Sequence, residues 1–362
     1  MKDLFTETLI SKTIWNFRIK SAMKSNSYTP IILVYVSRKL PKYVIDSAIS
    51  CGKRFPERKT ILLTNASTPK KVNEVNLEIV KLHSQSKMPN LNELGLDHNV
   101  DFRSGFWYRT IERFFILESF MQEQGIDKSL HIEADVWLSE DFPFEKLDEK
   151  VLGLAYPPVD KSRSSGAVFF VGRRDALRSM LDFFYIAVNQ NPKLTDMVLL
   201  KEFSDARPSM YQPLPTEFST RDSNPLSSDE LGGIFDAAPW GQYLFGLDPS
   251  INFGKTNLFK DLSGYGITPS STILSVDSHH RLRISQNGAE FSLFNLHIHS
   301  KNRKLFTLRG ELLFTFLRRT LGQSKGGTKK SFSMFGFIKW SKIMFIVAYR
   351  KQRKKLFKNP SK

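Results

Sequence analysis

The sequence predicts an α/β fold with a mainly parallel sheet flanked by helices. Three observations predict it. Residues 31–36 (IILVYV) and 59–65 (KTILLTN) are short, continuous apolar runs without polar alternation, as in strands buried on both faces. A helical stretch at 41–53 separates them, so the first 35 or so residues of this region read as a βαβ unit. A third run, 129–138 (SLHIEADVWL), is a strand that runs straight into acidic residues.

The other elements follow in order. Residues 1–27 form an amphipathic helical segment, with Leu4, Phe5, Leu9, Ile10, Ile14, Trp15 and Phe17 as its apolar positions. Tyr28-Thr29-Pro30 ends it. Pro41 suits the first turn of the 41–53 helix, and residues 76–82 add a third strand. Residues 105–124 are the clearest helix, with apolar positions at 3–4 spacing and Gly125 as its stop. Residues 166–171 (GAVFFV) read as a strand, 174–190 as a helix, and 195–204 as a helix capped by Thr195. Residues 205–233 are polar and rich in Pro and Ser, which suggests a long loop. A helix is expected over 234–248, strands over 282–299, and a flexible linker over 321–331.

Composition narrows the class. The chain has 362 residues, 41% of them hydrophobic, enough for a sizeable core. The one cysteine, Cys51, rules out an internal disulfide framework and a cysteine-based zinc site. The start of the sequence carries no apolar run of signal-peptide length, and no stretch approaches a membrane span. A cytoplasmic protein, peripheral at the inner face of the cell membrane, is expected. The net charge is +17, but residues 321–362 hold 12 of the 53 basic residues and none of the 36 acidic ones. The remaining 320 residues therefore carry only +5, and the high pI describes a tail, not a nucleic-acid-binding domain. Apolar residues interleaved with lysines over 332–349, then a basic run, fit a segment lying on an anionic membrane surface. This divides the chain into 1–27, a catalytic domain over 28–320 and a basic amphipathic tail over 321–362.

Glu133 and Asp135 are two carboxylates two residues apart at a strand end. Both can reach one divalent cation, and Mg²⁺ or Mn²⁺ prefers such oxygen ligands. In open α/β sheets, ligands bind beyond the carboxyl ends of the strands, where this pair lies. A second candidate set is His297, His299 and Lys301, which alternation along a strand places on one face. An imidazole can ligate Mn²⁺ and an ammonium can offset phosphate charge. Arg109 and Arg113, four apart on the long helix, are candidate contacts for a diphosphate or a base. Asp196 beside Thr195 suits helix capping better than a ligand role.

The stretch 105–138 resembles the region of GT-A glycosyltransferases that leads into their DxD motif, with Glu133 where the commonest pattern has Asp. The resemblance covers roughly residues 30–305. It implies a GT-A-like, Rossmann-type nucleotide-binding sheet and transfer of a sugar from a nucleoside diphosphate donor, with UDP the expected nucleotide, to a hydroxyl acceptor. It also implies a Mn²⁺ or Mg²⁺ ion held by Asp135 and Glu133, with a late histidine, His297 or His299, completing the shell and Lys301 touching the diphosphate. Ser165 and Gly166 resemble the small-residue segment at which the family's backbone passes close to the donor sugar, and Thr64 and Asn65 end the strand where it reads the nucleotide. Residues 233–244 (GIFDAAPWGQYL) resemble a segment of bacterial surface-polysaccharide glycosyltransferases. On that resemblance Asp236 is a candidate general base or acceptor binder, and Trp240 and Tyr243 are candidate platforms for a sugar face. The implied acceptor is a glycan or a lipid-linked glycan. Two other readings stay open: a nucleotidyltransferase on a similar sheet, and a non-catalytic sugar-nucleotide-binding or scaffold protein.

Overall fold

The computed structural model describes residues 28–37, 39–67, 76–82, 106–218, 224–241, 272–276, 281–286, 289–299, 301, 303 and 306. The chain divides into two units, Met1–Leu308 and Arg309–Lys362, and every described residue belongs to the first. The segment 1–27, the linker, the tail and Tyr243 lie outside the described residues.

The expected βαβ unit is present. β1 (Ile31–Tyr35) leads through α1 (Lys42–Arg54) to β2 (Thr60–Thr64), and the two strands pair in parallel. β3 (Leu77–Lys81) follows in parallel on β2, and α2 spans Phe106–Gln124. The long apolar run at 129–138 is two strands rather than one. β4 (Ser129–Ile132) pairs in parallel with β1, and β5 (Val136–Leu138) belongs to a separate two-stranded sheet. Between them a turn closes with Val136 N–H donating to the Glu133 carbonyl at 3.0 Å. The acidic residues therefore sit at the break between two strands.

Next come α3 (Phe144–Lys150), β6 (Leu154–Tyr156), the small hairpin of β7 (Pro158–Asp160) and β8 (Arg163–Ser164), and β9 (Val168–Val171). α4 (Arg174–Gln190) and α5 (Asp196–Ala206) lie close to the expected bounds. Thr195 caps α5 as expected, its side chain accepting from Val198 N–H at 3.4 Å. The stretch read as one polar loop contains β10 (Tyr211–Pro213) and a short α6 (Ser228–Leu231).

The main sheet has the order β10-β6-β9-β4-β1-β2-β3. Only β9 runs against its neighbours. Alternate residues of the central strands face two different cores. Ile32, Val34, Ile61 and Leu63 pack under α2, α4 and α5. Ile31, Leu33 and Leu62 pack under α1 and α3. On the first face Phe114 of α2 meets Phe169 at 5.0 Å and Phe184 at 6.1 Å, which pins α2 over the carboxyl half of β4.

Of the helix expected over 234–248, only residues 234–241 are described: there the chain forms β11 (Gly233–Ile234) and then a turn, and helical geometry begins at residue 239. β11 joins β12 (Thr272–Val276), β13 (Leu282–Gln286) and β14 (Ala289–Leu293) in a second sheet. β15 (Asn295–His297) then leaves that sheet and pairs antiparallel with β5, setting His297 opposite Val136. The late histidine thereby comes back to the acidic turn.

Candidate functional site

The site is built from three strand ends. β1 ends at Tyr35, β2 at Thr64 and β4 at Ile132, all in parallel register, so Glu133 emerges from the carboxyl edge of the sheet. Ile298 N–H donates to the Asp135 carbonyl at 2.7 Å, which locks the β15 segment onto the acidic turn. His297 Nε2 consequently lies 3.2 Å from Glu133 Oε2 and 3.3 Å from Asp135 Oδ1. One ligand atom from each of these three residues falls within a 4.8 Å span. Among the described residues this is the group of His, Cys, Asp and Glu side chains compact enough to hold an ion. The carboxylates retain some solvent contact, 23% of the Glu133 side chain and 15% of Asp135, so the cluster can be reached from outside.

The electrostatics fit a cation. Burial alone would raise both carboxyls. The Arg113 charge and the His297 hydrogen bond hold Glu133 well below the usual carboxylate range, and His297 holds Asp135 below its own. Burial alone would lower His297, but its two carboxylate partners push it up to about 10. The two carboxylates that raise the imidazole also favour a cation at this place. Two oxygens and one imidazole nitrogen suit Mn²⁺, with Mg²⁺ preferring more oxygen and water.

The sign of the pH dependence follows. His297 has a folded pKa above its unfolded value of 6.5, so its contribution to stability is complete below about pH 6.5 and fades as the pH rises toward 10. A metal must displace that proton, so the apparent Mn²⁺ affinity is expected to rise steadily between pH 6 and 9. Calorimetry in buffers of different ionisation enthalpy should show about one proton released per ion at neutral pH, and pH-independent affinity would count against His297 as a ligand.

Arg113 is buried, and it bridges Glu133 Oε1 and, at 2.9 Å, Asp196 Oδ2. Its charge is thus committed to two carboxylates instead of standing free for a diphosphate. The N-cap of α5 is Thr195 and not Asp196. Asp196 is the first residue of α5, nearly closed to solvent, turned onto Arg113. Gly166 serves the same arrangement: a Cβ there would come 2.7 Å from Arg113 Nη2 and 2.7 Å from the Phe114 ring. Its small size makes room for the guanidinium, a reason distinct from backbone approach to a sugar. Ser165 is buried, its hydroxyl accepting from Ala167 N–H at 3.3 Å. Arg109 is not brought in; it donates to Glu112 on its own helix and is half exposed.

At the edge beside the cluster, Asn65 is exposed and accepts from Ser37 N–H at 2.9 Å, tying the ends of β1 and β2 together. Thr64 is fully buried and its hydroxyl accepts from Ala66 N–H at 3.2 Å, so its side chain faces inward and not toward a nucleotide. Lys301 has a left-handed backbone (φ 51°) and sets its ammonium 5.8 Å from the centre of the Tyr43 ring. Its charge acts on Asp135 and on Tyr35, whose hydroxyl is pushed up chiefly by burial. Tyr35 and Tyr43 meet edge to face at 6.4 Å. Neither tyrosine stood out in the sequence, although Tyr35 ends a parallel strand and that position alone could have marked it.

Two further expectations fail on geometry. Asp236 is not placed as a general base. It is fully buried, and its carboxylate accepts four backbone N–H groups: Ala238 at 2.9 Å and Trp240 at 3.0 Å on Oδ1, Gly241 at 2.8 Å and His297 at 2.9 Å on Oδ2. Those bonds use the acceptor capacity of both oxygens and leave nothing for an acceptor hydroxyl. Trp240 is likewise buried, 4% exposed, and offers no open face to a sugar. Strand register brings one of the two late histidines to the carboxylates. His297 points its Nε2 at the carboxylates, while His299 stacks on the His297 ring with centroids 3.9 Å apart.

No family model and no curated protein matches the chain. Solved structures to which it is similar include glycosyltransferases. One is the PaToxG glycosyltransferase, at 11% identity over 57% of this chain and 79% of that one, with a TM-score of 0.35. Another is the glycosyltransferase GlyE of Streptococcus pneumoniae TIGR4, at 18% identity over 52% of this chain and 45% of that one, with a TM-score of 0.35; the chain thus matches less than half of the GlyE chain. A third is the galactosyltransferase LgtC in complex with donor and acceptor sugar analogues, at 12% identity over 56% of this chain and 83% of that one, with a TM-score of 0.34.

Proposed function

We propose that this chain is a metal-dependent glycosyltransferase that moves a sugar from a nucleoside diphosphate donor to a hydroxyl of a glycan or lipid-linked acceptor, in the synthesis of a bacterial surface polysaccharide. The observation that carries the proposal is the convergence of Glu133, Asp135 and His297 at the carboxyl edge of a mainly parallel sheet. Their donor atoms suit Mn²⁺, and a divalent ion held there supplies charge to a departing diphosphate. The resemblance of residues 105–138 to the DxD region of GT-A enzymes supports the same reading. Lys301 stands on the same edge and offers a fixed ammonium toward the diphosphate. Tyr35 and Tyr43 lie partly buried beside it, Tyr43 stacked on Phe306, and the aromatic edge of Tyr35 suits a nucleobase. The basic tail fits a role at an anionic inner membrane surface; among the described residues no helix is long and apolar enough to cross a membrane.

The proposal is tested by titrating the full chain with UDP, GDP, CDP and TDP by calorimetry, with and without Mn²⁺. Metal-dependent binding of one of them is expected, with UDP first among the four. Absence of binding by all four, in a folded protein, would refute the donor class and favour a scaffold role.

A further inference from the structure

Asp236 is in the wrong place for acid–base chemistry and in the right place for another task. Its carboxylate gathers the N–H groups of Ala238, Trp240 and Gly241, which curl the chain into a tight turn, and then takes the N–H of His297 from a strand 61 residues away. The side chain of Asn295 closes the other side. Its Oδ1 accepts from Asp236 N–H and its Nδ2 donates to the Asp236 carbonyl, both at 3.0 Å. Asp236 and Asn295 are both fully buried. Contact across this turn is very close: a Cβ on Gly241 would lie 1.8 Å from the His297 carbonyl oxygen and 3.0 Å from Asp236 Oδ2. Ala238 holds φ at 145°, a conformation that costs a non-glycine residue energy and persists only where surrounding contacts enforce it.

We propose that Asp236, Asn295 and Gly241 form a backbone clamp whose task is to position His297 for cation binding. The inference rests on the metal reading of Glu133, Asp135 and His297. The clamp grips the peptide units on both sides of the His297 Cα: its N–H is bound by Asp236 and its carbonyl is packed against Gly241. On the other edge of the strand, pairing with Val136 fixes the same residue against the acidic turn. With its backbone held from both sides, the imidazole keeps its Nε2 at the carboxylates without a hydrogen bond to its Nδ1. His297 Nδ1 has no hydrogen-bond partner among the described residues. A metal-binding histidine is commonly oriented through its second ring nitrogen; here the orientation comes through the main chain, and Asp236 is a positioning residue.

The test measures Mn²⁺ binding directly, by the paramagnetic resonance signal of the free ion, on the full chain and on Gly241→Ala, Asp236→Asn, His297→Ala and the double variant Gly241→Ala/His297→Ala. The Asn amide at 236 would set a donor against a backbone N–H. The Ala methyl at 241 would push on the His297 carbonyl. Each single clamp variant is expected to lose about 10- to 100-fold in Mn²⁺ affinity, the range seen when support behind a metal ligand is removed. In the His297→Ala background the Gly241 change is expected to cost nothing further. Leu181→Ala, a core truncation in α4, should lower the melting temperature and leave Mn²⁺ affinity unchanged, which separates positioning from general loss of stability. Should neither Asp236→Asn nor Gly241→Ala fold, Asn295→Ala is measured in their place, since it leaves the four N–H bonds to the Asp236 carboxylate intact and frees only the Asp236 backbone; native Mn²⁺ affinity in it would overturn the clamp. Folded clamp variants with native Mn²⁺ affinity would overturn the clamp, as would a Gly241 effect that persists without His297. Failure of the unaltered chain to bind Mn²⁺, or native affinity in His297→Ala, would instead overturn the metal reading itself and the clamp's task with it.

Discussion

Asp135→Ala is expected to remove metal-dependent binding of the nucleoside diphosphate and to lower transfer by at least about 10³-fold. Asp135 supplies one of the three clustered donor atoms, and its partner Glu133 has one oxygen already engaged by Arg113. Without Asp135, the ion would be left with one free Glu133 oxygen and His297. Metal stabilisation of a leaving group is worth several kcal/mol, and about 1.4 kcal/mol corresponds to tenfold in rate. The variant should fold normally. Asp135 carries the like-charge repulsion of Glu133 as well as the attraction of His297, so removing it relieves one term as it loses the other. His297 should then titrate lower, since Asp135 is the largest of the influences that raise it. Calorimetry with Mn²⁺ and the diphosphate, alongside a melting curve, checks both parts. A folded Asp135→Ala chain that binds the diphosphate with native affinity and metal dependence would place the ion elsewhere.

The sequence made some of this legible and hid the rest for identifiable reasons. Continuous β-branched runs marked β1 and β2 because strands buried on both faces need no polar alternation. The acidic turn was visible because an apolar strand led into it. What the pattern could not show was that Glu133-Ala134-Asp135 breaks the run into two strands of different sheets. Alternation put His297, His299 and Lys301 on one face, but β15 ends at His297, so the alternation that grouped them does not continue past it. Only the pairing of His297 with Val136, 161 residues apart in the chain, selects that histidine. Asp236 shows the sharper limit. An aspartate amid aromatic and small residues looks like site chemistry, and nothing local reveals that four N–H groups, one of them distant in sequence, already claim it. Asp196 was passed over for the opposite reason: its place at a helix start gave a sufficient local account, while its real partner, Arg113, lies on another helix.

Arg113→Met is expected to cost the fold about 3–5 kcal/mol at pH 7, the usual penalty for removing one partner of a buried ion pair. Methionine fills much of the volume, so the loss is electrostatic. Arg113 is 6% exposed and balances Glu133 and Asp196 together; without it the buried Asp196 is left uncompensated beside Glu133. In the parent, Glu133 has its pKa held well below the unfolded value. Its contribution to stability is therefore present above about pH 4.5 and lost as the pH falls through the folded pKa. In the variant Glu133 loses its largest downward influence and keeps only His297, while Asp196, which burial already raises in the parent, is raised further. Protonation of Asp196 then stabilises the fold, so the deficit shrinks toward pH 4.5. Urea denaturation of parent and variant at pH 7 and pH 4.5 should show the gap narrowing by more than half. Adding Asp196→Leu to Arg113→Met should recover part of the loss at pH 7, since one uncompensated charge is then gone. A loss below about 1 kcal/mol at pH 7, the magnitude of a solvated surface pair, would mean that water, and not the guanidinium, keeps these carboxylates charged. Arg113 would then be free to serve a bound ligand after all.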